Sequence, residues 1–245
     1  MQELLATIGW ADLLAPIFFV LCWAGYAAVA DGTPGSRSSL MSRMHEYRRL
    51  WMRRMLTREN RIPDLQVLLV LTQSNAFFAS SAVLIVGGCL AILGAREQAM
   101  QVLADFPFVA HTPLVVWELK VLLLVVVFVY AFFKFTWSLR QFNYVAILIG
   151  GAPPPARAAS TESLTYAESA AAVASRAAEH FNKAMRTFYF GLAALSWFLQ
   201  PFLFMVLTAL VVLVAYRREF KSHTLTAVGR VGEAVPGAPE LSPRP

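Results

Sequence analysis

Apolar residues fall into four long runs, Leu13–Ala30, Val67–Leu93, Leu114–Phe133 and Phe188–Tyr216, and the segments between them hold nearly all of the charge. At about 1.5 Å per helical residue, each run can cross a hydrocarbon core of about 30 Å. Inside such a core every backbone N–H and C=O must be bonded within the protein, so runs of this length predict helices. The fold class expected is all-α: an integral membrane protein with four transmembrane helices plus two amphipathic cytoplasmic helices.

The first amphipathic segment is residues 39–61. At about 100° per residue, Leu40, Met44, Tyr47, Trp51 and Met55 share one face, and Arg43, Arg49, Arg53 and Arg54 fall largely opposite. Such a helix lies in a membrane interface or packs on another helix. Arg48 breaks the pattern by projecting into the apolar arc, where it either snorkels to a phosphate or forms a buried ion pair or anion site. Arg48, Arg49, Arg53 and Arg54 are therefore candidate anion or lipid-headgroup contacts. The second segment, residues 163–187, places Tyr166, Ala170, Ala174, Ala177, Phe181 and Ala184 on one face. That small-residue stripe predicts close packing against a partner helix, and the arginine helix is the obvious one.

The second apolar run carries an unusual polar load. Gln66, Gln73 and Ser80 recur every seven residues and Gly87 follows; Ser74, Ser81 and Gly88 form a parallel stripe. Lipid-facing amides are expensive, so this face is expected to look into the bundle. There it serves helix packing, or it lines a solute or ion path with Gln66, Gln73, Asn75 and Ser80. In the fourth run Gln200-Pro201 interrupts the helix, since proline frees a carbonyl four residues earlier; the pair is a candidate hinge. Residues 222–245 are rich in Pro, Gly, Ser and Ala and read as a disordered tail after a domain covering 1–221.

Charge refines this picture. Of 245 residues, 58% are hydrophobic and only 15% charged, against about 25% in soluble domains. The gap after the first run holds Arg37, Arg43, Arg48, Arg49, Arg53, Arg54, Arg58 and Arg61, whereas the second gap holds only Arg96. Beside membrane spans this asymmetry reads as positive-inside bias and attraction to anionic lipid, not as nucleic-acid binding. The cell membrane, and the bacterial inner membrane in particular, is the expected location, with a multi-pass topology and both termini outside. Arg217, Arg218 and Lys221 oppose the last step, because they follow the fourth run directly. A re-entrant hairpin turning at Gln200-Pro201 would restore the charge rule, but its two halves look short for that role. Ala28-Val29-Ala30 mimics a signal-peptidase site, yet no basic segment precedes it.

Cys22 and Cys89 lie inside apolar runs, and the four histidines show no ligand spacing. No metal or cofactor is expected. No H-E-x-x-H, G-x-S-x-G or P-loop pattern occurs, so the protein is expected not to be an enzyme.

Several stretches resemble a known family: YRRLWMRRM (Tyr47–Met55), FFASSAVLI (Phe77–Ile85), FKFTWSLRQFNY (Phe133–Tyr144) and FNKAMRTFYFGLAALSWFLQP (Phe181–Pro201). Together they make the chain similar to the proteins catalogued as domain of unknown function 599. The resemblance implies a four-span membrane protein of bacteria and plants without an assigned reaction, and it lends no catalytic residue. The expected function is a non-enzymatic membrane scaffold or regulator that binds lipid or protein partners. The alternative is a small-solute or ion transporter or channel with a polar path along the second span. Expected partners are anionic headgroups of the bilayer and a membrane protein or a second copy of the chain.

Overall fold

The computed structural model describes residues 9–31, 39–104 and 113–234. Among these, the helices are α1 (Trp10–Asp31), α2 (Leu40–Leu56), α3 (Ile62–Gly94), α4 (Arg96–Ala104), α5 (Leu114–Gly150), α6 (Thr161–Leu195), α7 (Pro201–Phe220) and α8 (His223–Ala234). Short 3-10 turns occupy Pro155–Arg157 and Ser196–Phe198, and no strand occurs among the described residues. Four helical stretches are long and apolar enough to span a membrane: Trp10–Asp31, Ile62–Gly94, Leu114–Gly150 and Pro201–Gly229. Their surfaces fit that setting, because large apolar side chains such as Leu21, Leu84, Leu122 and Val206 are exposed.

The described residues divide into two compact units. The first is drawn from Met1–Thr33, Phe78–Phe133 and Lys183–Ala215, the second from Pro34–Phe77, Lys134–Asn182 and Tyr216–Pro245. Helices α3, α5, α6 and α7 each supply a segment to both.

The first unit is organised by aromatic side chains. Phe19 of α1 is fully buried, with its ring centroid 5.7 Å from that of Phe190 (α6) and 5.3 Å from that of Phe204 (α7). Phe128 of α5 meets Phe188 edge-on at 5.3 Å. Gly191 makes that approach possible: a Cβ there would sit 2.7 Å from Phe128 Cζ, closer than packed atoms come.

The fourth apolar run differs from its expected form. Phe188–Tyr216 is not one kinked span. Its first part is the end of α6, the chain turns over 196–200, and α7 begins afresh at Pro201. Proline suits a first helical turn, where its missing N–H costs nothing. Along α1, Arg186 lies at Asp31, Phe190 at Phe19 and Trp197 at Asp12, so the end of α6 covers the length of α1. Beyond the turn, Phe202 meets Trp10 and Phe204 returns to Phe19. This is a helical hairpin. The halves judged too short suffice because α6 enters the unit already helical and because Arg186 and Trp197 reach along α1 with long side chains.

In the second unit, Met52, Met55 and Leu56 of α2 pack with Leu68 of α3, with Phe142, Val145 and Ile149 of α5, and with an alanine stripe of α6 from Ala167 to Ala178. Alanine lets backbones approach, and Ser138 Oγ of α5 donates to the Ala177 carbonyl at 2.6 Å. Ser39 caps α2 by accepting from the Ser42 N–H, and Asn60 accepts from the Ile62 N–H at the start of α3. Arg61 sits at the end of α5: its guanidinium donates to the carbonyl of Ile149 in the last turn and to those of Ala152 and Pro153 just beyond it.

The same unit corrects two expectations. The segment after Lys221, expected to be disordered, forms α8, and the Val228 carbonyl accepts from Tyr47 Oη of α2 at 2.9 Å. The remainder of that tail, residues 235–245, lies outside the described residues. Glu219 at the end of α7 accepts from the Met41 N–H at 3.0 Å. The C-terminal end of α7 therefore shares the side of α2, not the opposite side. Arg217, Arg218 and Lys221 join the side that carries the arginine helix, as the charge rule requires. Fusions of a reporter after Lys221 and within the gap between α1 and α2 are expected to report the same side. Opposite readings from a phosphatase and a fluorescent reporter at these two points contradict the hairpin.

Candidate functional site

Two clusters of charged groups in the first unit sit at the two ends of α1, apart from an exposed pair of Arg96 with Glu118. At the N-terminal end, Asp12 accepts from Lys120 Nζ of α5 at 3.3 Å and from Trp197 Nε1 at 2.9 Å. Lys120 Nζ also lies 5.4 Å from the centroid of the Trp197 ring. Lys120 is 2% exposed. A buried ammonium is tolerable only with a counter-charge and well-placed partners, and this one has both a carboxylate and an aromatic face. Asp12 falls in the first turn of α1, where the helix dipole also favours a negative charge.

At the C-terminal end of α1, Asp31 takes both Arg186 at 2.7 Å and Lys183 at 3.2 Å from α6. The Arg186 guanidinium also lies 5.5 Å from the centroid of the Tyr26 ring. Trp23, Tyr130, Thr187 and Phe190 complete a shallow cleft here. Two cations against one carboxylate leave it with a net positive charge.

In the second unit, Glu168 of α6 accepts from Arg49 Nε at 2.6 Å and Arg53 Nε at 2.8 Å. The Arg49 hydrogen bond is the main cause that holds Glu168 below the usual carboxylate range, and the same bond raises Arg49. Asp64 of α3 is buried and accepts from Trp51 Nε1 at 2.6 Å and from Arg58. His45 Nδ1 and Ser175 Oγ are 2.8 Å apart. Arg48 is pushed down to about 10 by burial, partly offset by Glu179, and its Nη1 has no hydrogen-bond partner. The buried Nε of Arg43 has none either.

The residues singled out from sequence scatter across these units. Arg49 and Arg53 are engaged by Glu168, and Arg53 stays exposed. Arg48 is largely buried, while Arg54 is exposed. On α3, Asn75 is buried and its Nδ2 donates to the Leu71 carbonyl at 3.3 Å. Gln66, Gln73 and Ser80, expected to face the bundle, are exposed instead. The inward face is the repeat Leu68, Asn75, Ala82 and Cys89. It stands two residues after the glutamine repeat, about 200° around the helix. Gln200 is exposed and Pro201 buried, at the turn between α6 and α7 rather than inside a span.

Sequence reasoning missed Asp12, Lys120, Asp31, Lys183, Arg186, Asp64 and Glu168 as partners. The available signal was position: Asp12 and Lys120 each lie within about two turns of a helix start, where solvation and pairing look alike without coordinates.

The model of the family described as Protein of unknown function, DUF599, matches residues 14–224. The chain belongs to this family. No curated protein and no solved structure matches it. With four helices able to span a bilayer, this DUF599 protein is a multi-pass membrane protein.

Two outcomes follow for the DUF599 chain. Lys120→Leu strands the Asp12 carboxylate and is expected to cost about 3 kcal/mol; adding Asp12→Asn, which keeps an acceptor for Trp197, should recover part of that loss. Denaturant unfolding in mixed micelles reads both, and a double variant as unstable as the single one contradicts the pairing. Glu168 contributes a pH dependence in the second unit. Its folded pKa is depressed, so its contribution is present above the unfolded value of about 4.3 and is lost as pH falls through the lower folded value. Melting profiles at falling pH should show that loss in the native chain and not in Glu168→Gln; identical profiles contradict it.

Proposed function

We propose that this protein is a non-enzymatic membrane scaffold or regulator whose arginine helix, α2, engages anionic lipid headgroups on the cytoplasmic face of a bacterial inner membrane. The observation that supports this reading most is the imbalance of charge on α2. Glu168 and Glu46 engage Arg49 and Arg53, while Arg43 and Arg54 have no ion pair among the described residues. Arg54 is exposed. The bond between Glu219 and the Met41 N–H brings the end of α7, with Arg217 nearby in sequence, to the start of α2 and adds to the same basic surface. Guanidinium groups suit phosphate, since their planar fork donates two parallel hydrogen bonds.

The test is lipid retention by the purified full chain, measured by native mass spectrometry after exchange with phosphatidylglycerol or phosphatidylcholine. An arginine near an anionic surface contributes about 1 kcal/mol, so Arg43→Gln with Arg54→Gln is expected to weaken phosphatidylglycerol retention by about thirtyfold. Phosphatidylcholine retention should not change. Equal retention of the two lipids by the native chain removes the headgroup reading.

A further inference from the structure

The cleft at the C-terminal end of α1 holds more positive charge than its ion pairs use. Lys183 and Arg186 stand one turn apart on α6 and so share a face. Both reach Asp31, Arg186 Nη2 at 2.7 Å and Lys183 Nζ at 3.2 Å. One carboxylate does not neutralise two cations. Nε and Nη1 of Arg186 meet no acceptor among the described residues, yet both keep accessible surface. The Arg186 side chain is only 18% exposed, so bulk water does little for these donors. The last carbonyls of α1 add about half a negative charge at this end, which still leaves the cleft positive.

Walls and size restrict what enters. The Arg186 guanidinium lies 5.5 Å from the Tyr26 ring centroid, and Trp23 meets Tyr130 edge-on at 5.5 Å. The space they leave is about 30 Å³. A water molecule needs about 10–15 Å³ of such space, so the cleft admits a few oxygen atoms and not a whole metabolite.

We infer that this cleft binds a terminal phosphate group. Such a group presents three oxygens at a tip and carries about −1.5 to −2 charges at pH 7, which suits two cations. The planar fork of Arg186 and the point charge of Lys183 meet those oxygens. A phosphodiester headgroup carries a substituent on each side of its phosphorus and cannot bring three oxygens into so small a space. The group has two sources: a phosphorylated small molecule from water, or phosphatidic acid from the bilayer. The second source is within reach because Asp31 ends a helix able to span the membrane. The inference uses none of the α2 arginines and does not rest on the headgroup reading above.

Two probes on the full chain in maltoside micelles test it: calorimetric titration with inorganic phosphate, and native mass spectrometry after exchange with phosphatidic acid. Arg186→Gln is expected to weaken the bound probe by about tenfold, the worth of one charge-assisted hydrogen bond. Lys183→Gln, at a more exposed position, should weaken it severalfold. Asp31→Asn keeps an oxygen for Arg186 and removes the competing charge, so it should tighten binding severalfold, a result that a purely structural ion pair does not give. Lys183→Gln and Asp31→Asn keep the inference testable where Arg186→Gln fails to fold. Arg43→Gln with Arg54→Gln should leave both affinities unchanged, which separates this cleft from the surface of α2. Binding of inorganic phosphate supports a ligand from water, and binding of phosphatidic acid alone supports the lipid. Failure of both probes to bind overturns the inference. So does binding that neither cation variant weakens, and so does binding that Asp31→Asn does not tighten.

Discussion

Asp12 and Asp31 stand near opposite ends of α1, and each meets cations carried by another helix: Lys120 from α5 at one end, Lys183 and Arg186 from α6 at the other. An ionised group taken out of water loses several kcal/mol of hydration and keeps its charge only where a counter-ion and hydrogen bonds replace it. The pairing therefore restricts how far α1 can slide or rotate against α5 and α6. Apolar contacts cannot do this, because in a bilayer the lipid tails are as apolar as the side chains they replace. The ring contacts of Phe19 and the close approach of Phe128 to Gly191 fill the space between charges and are specific only once that alignment is set.

The second unit uses the same rule with a different supply of cations. α2 and the loop after it bring arginines, and α3 and α6 bring the buried or half-buried carboxylates Asp64, met by Arg58, and Glu168, met by Arg49 and Arg53. Methionines on the other side of α2 meet an alanine stripe that admits them at short range. Arg61 meets main-chain carbonyls at and just beyond the end of α5 instead of a carboxylate. Arg48 and Arg43 depart from the rule: the Arg48 guanidinium is largely buried at a distance from Glu179 with no hydrogen bond at Nη1, and the buried Nε of Arg43 has none either. The burial of Arg48 costs stability without a full local return.

The hairpin of α6 and α7 changes the reading of the C-terminal third. Length alone argued for a single span, because the apolar run Phe188–Tyr216 is one span's length plus a little. The chain instead ends one helix at Leu195 and starts the next at Pro201. This arrangement brings Arg217 and Arg218 to the side of α2 and removes the conflict with the charge rule that the single-span reading created.

Sequence by itself determined the helical class, the membrane setting and the helix end at the Gly-Pro cluster 150–155, though not the turn at 196–200 or α8. Backbone bonds must close within apolar segments, and Gly-Pro clusters cannot continue a helix, so both features are local and written in composition. The alanine face of α6 was legible for the same reason, since a period of 3.6 needs no partner to be seen. Direction was not legible. The two seven-residue repeats on α3, one through Gln73 and one through Asn75, are equally periodic, and only the packed neighbours decide that Asn75 turns inward and Gln73 outward. Ion pairs such as Asp12 with Lys120 join residues more than a hundred positions apart. Which charge meets which depends on helix order and depth, and those are properties of the tertiary structure alone.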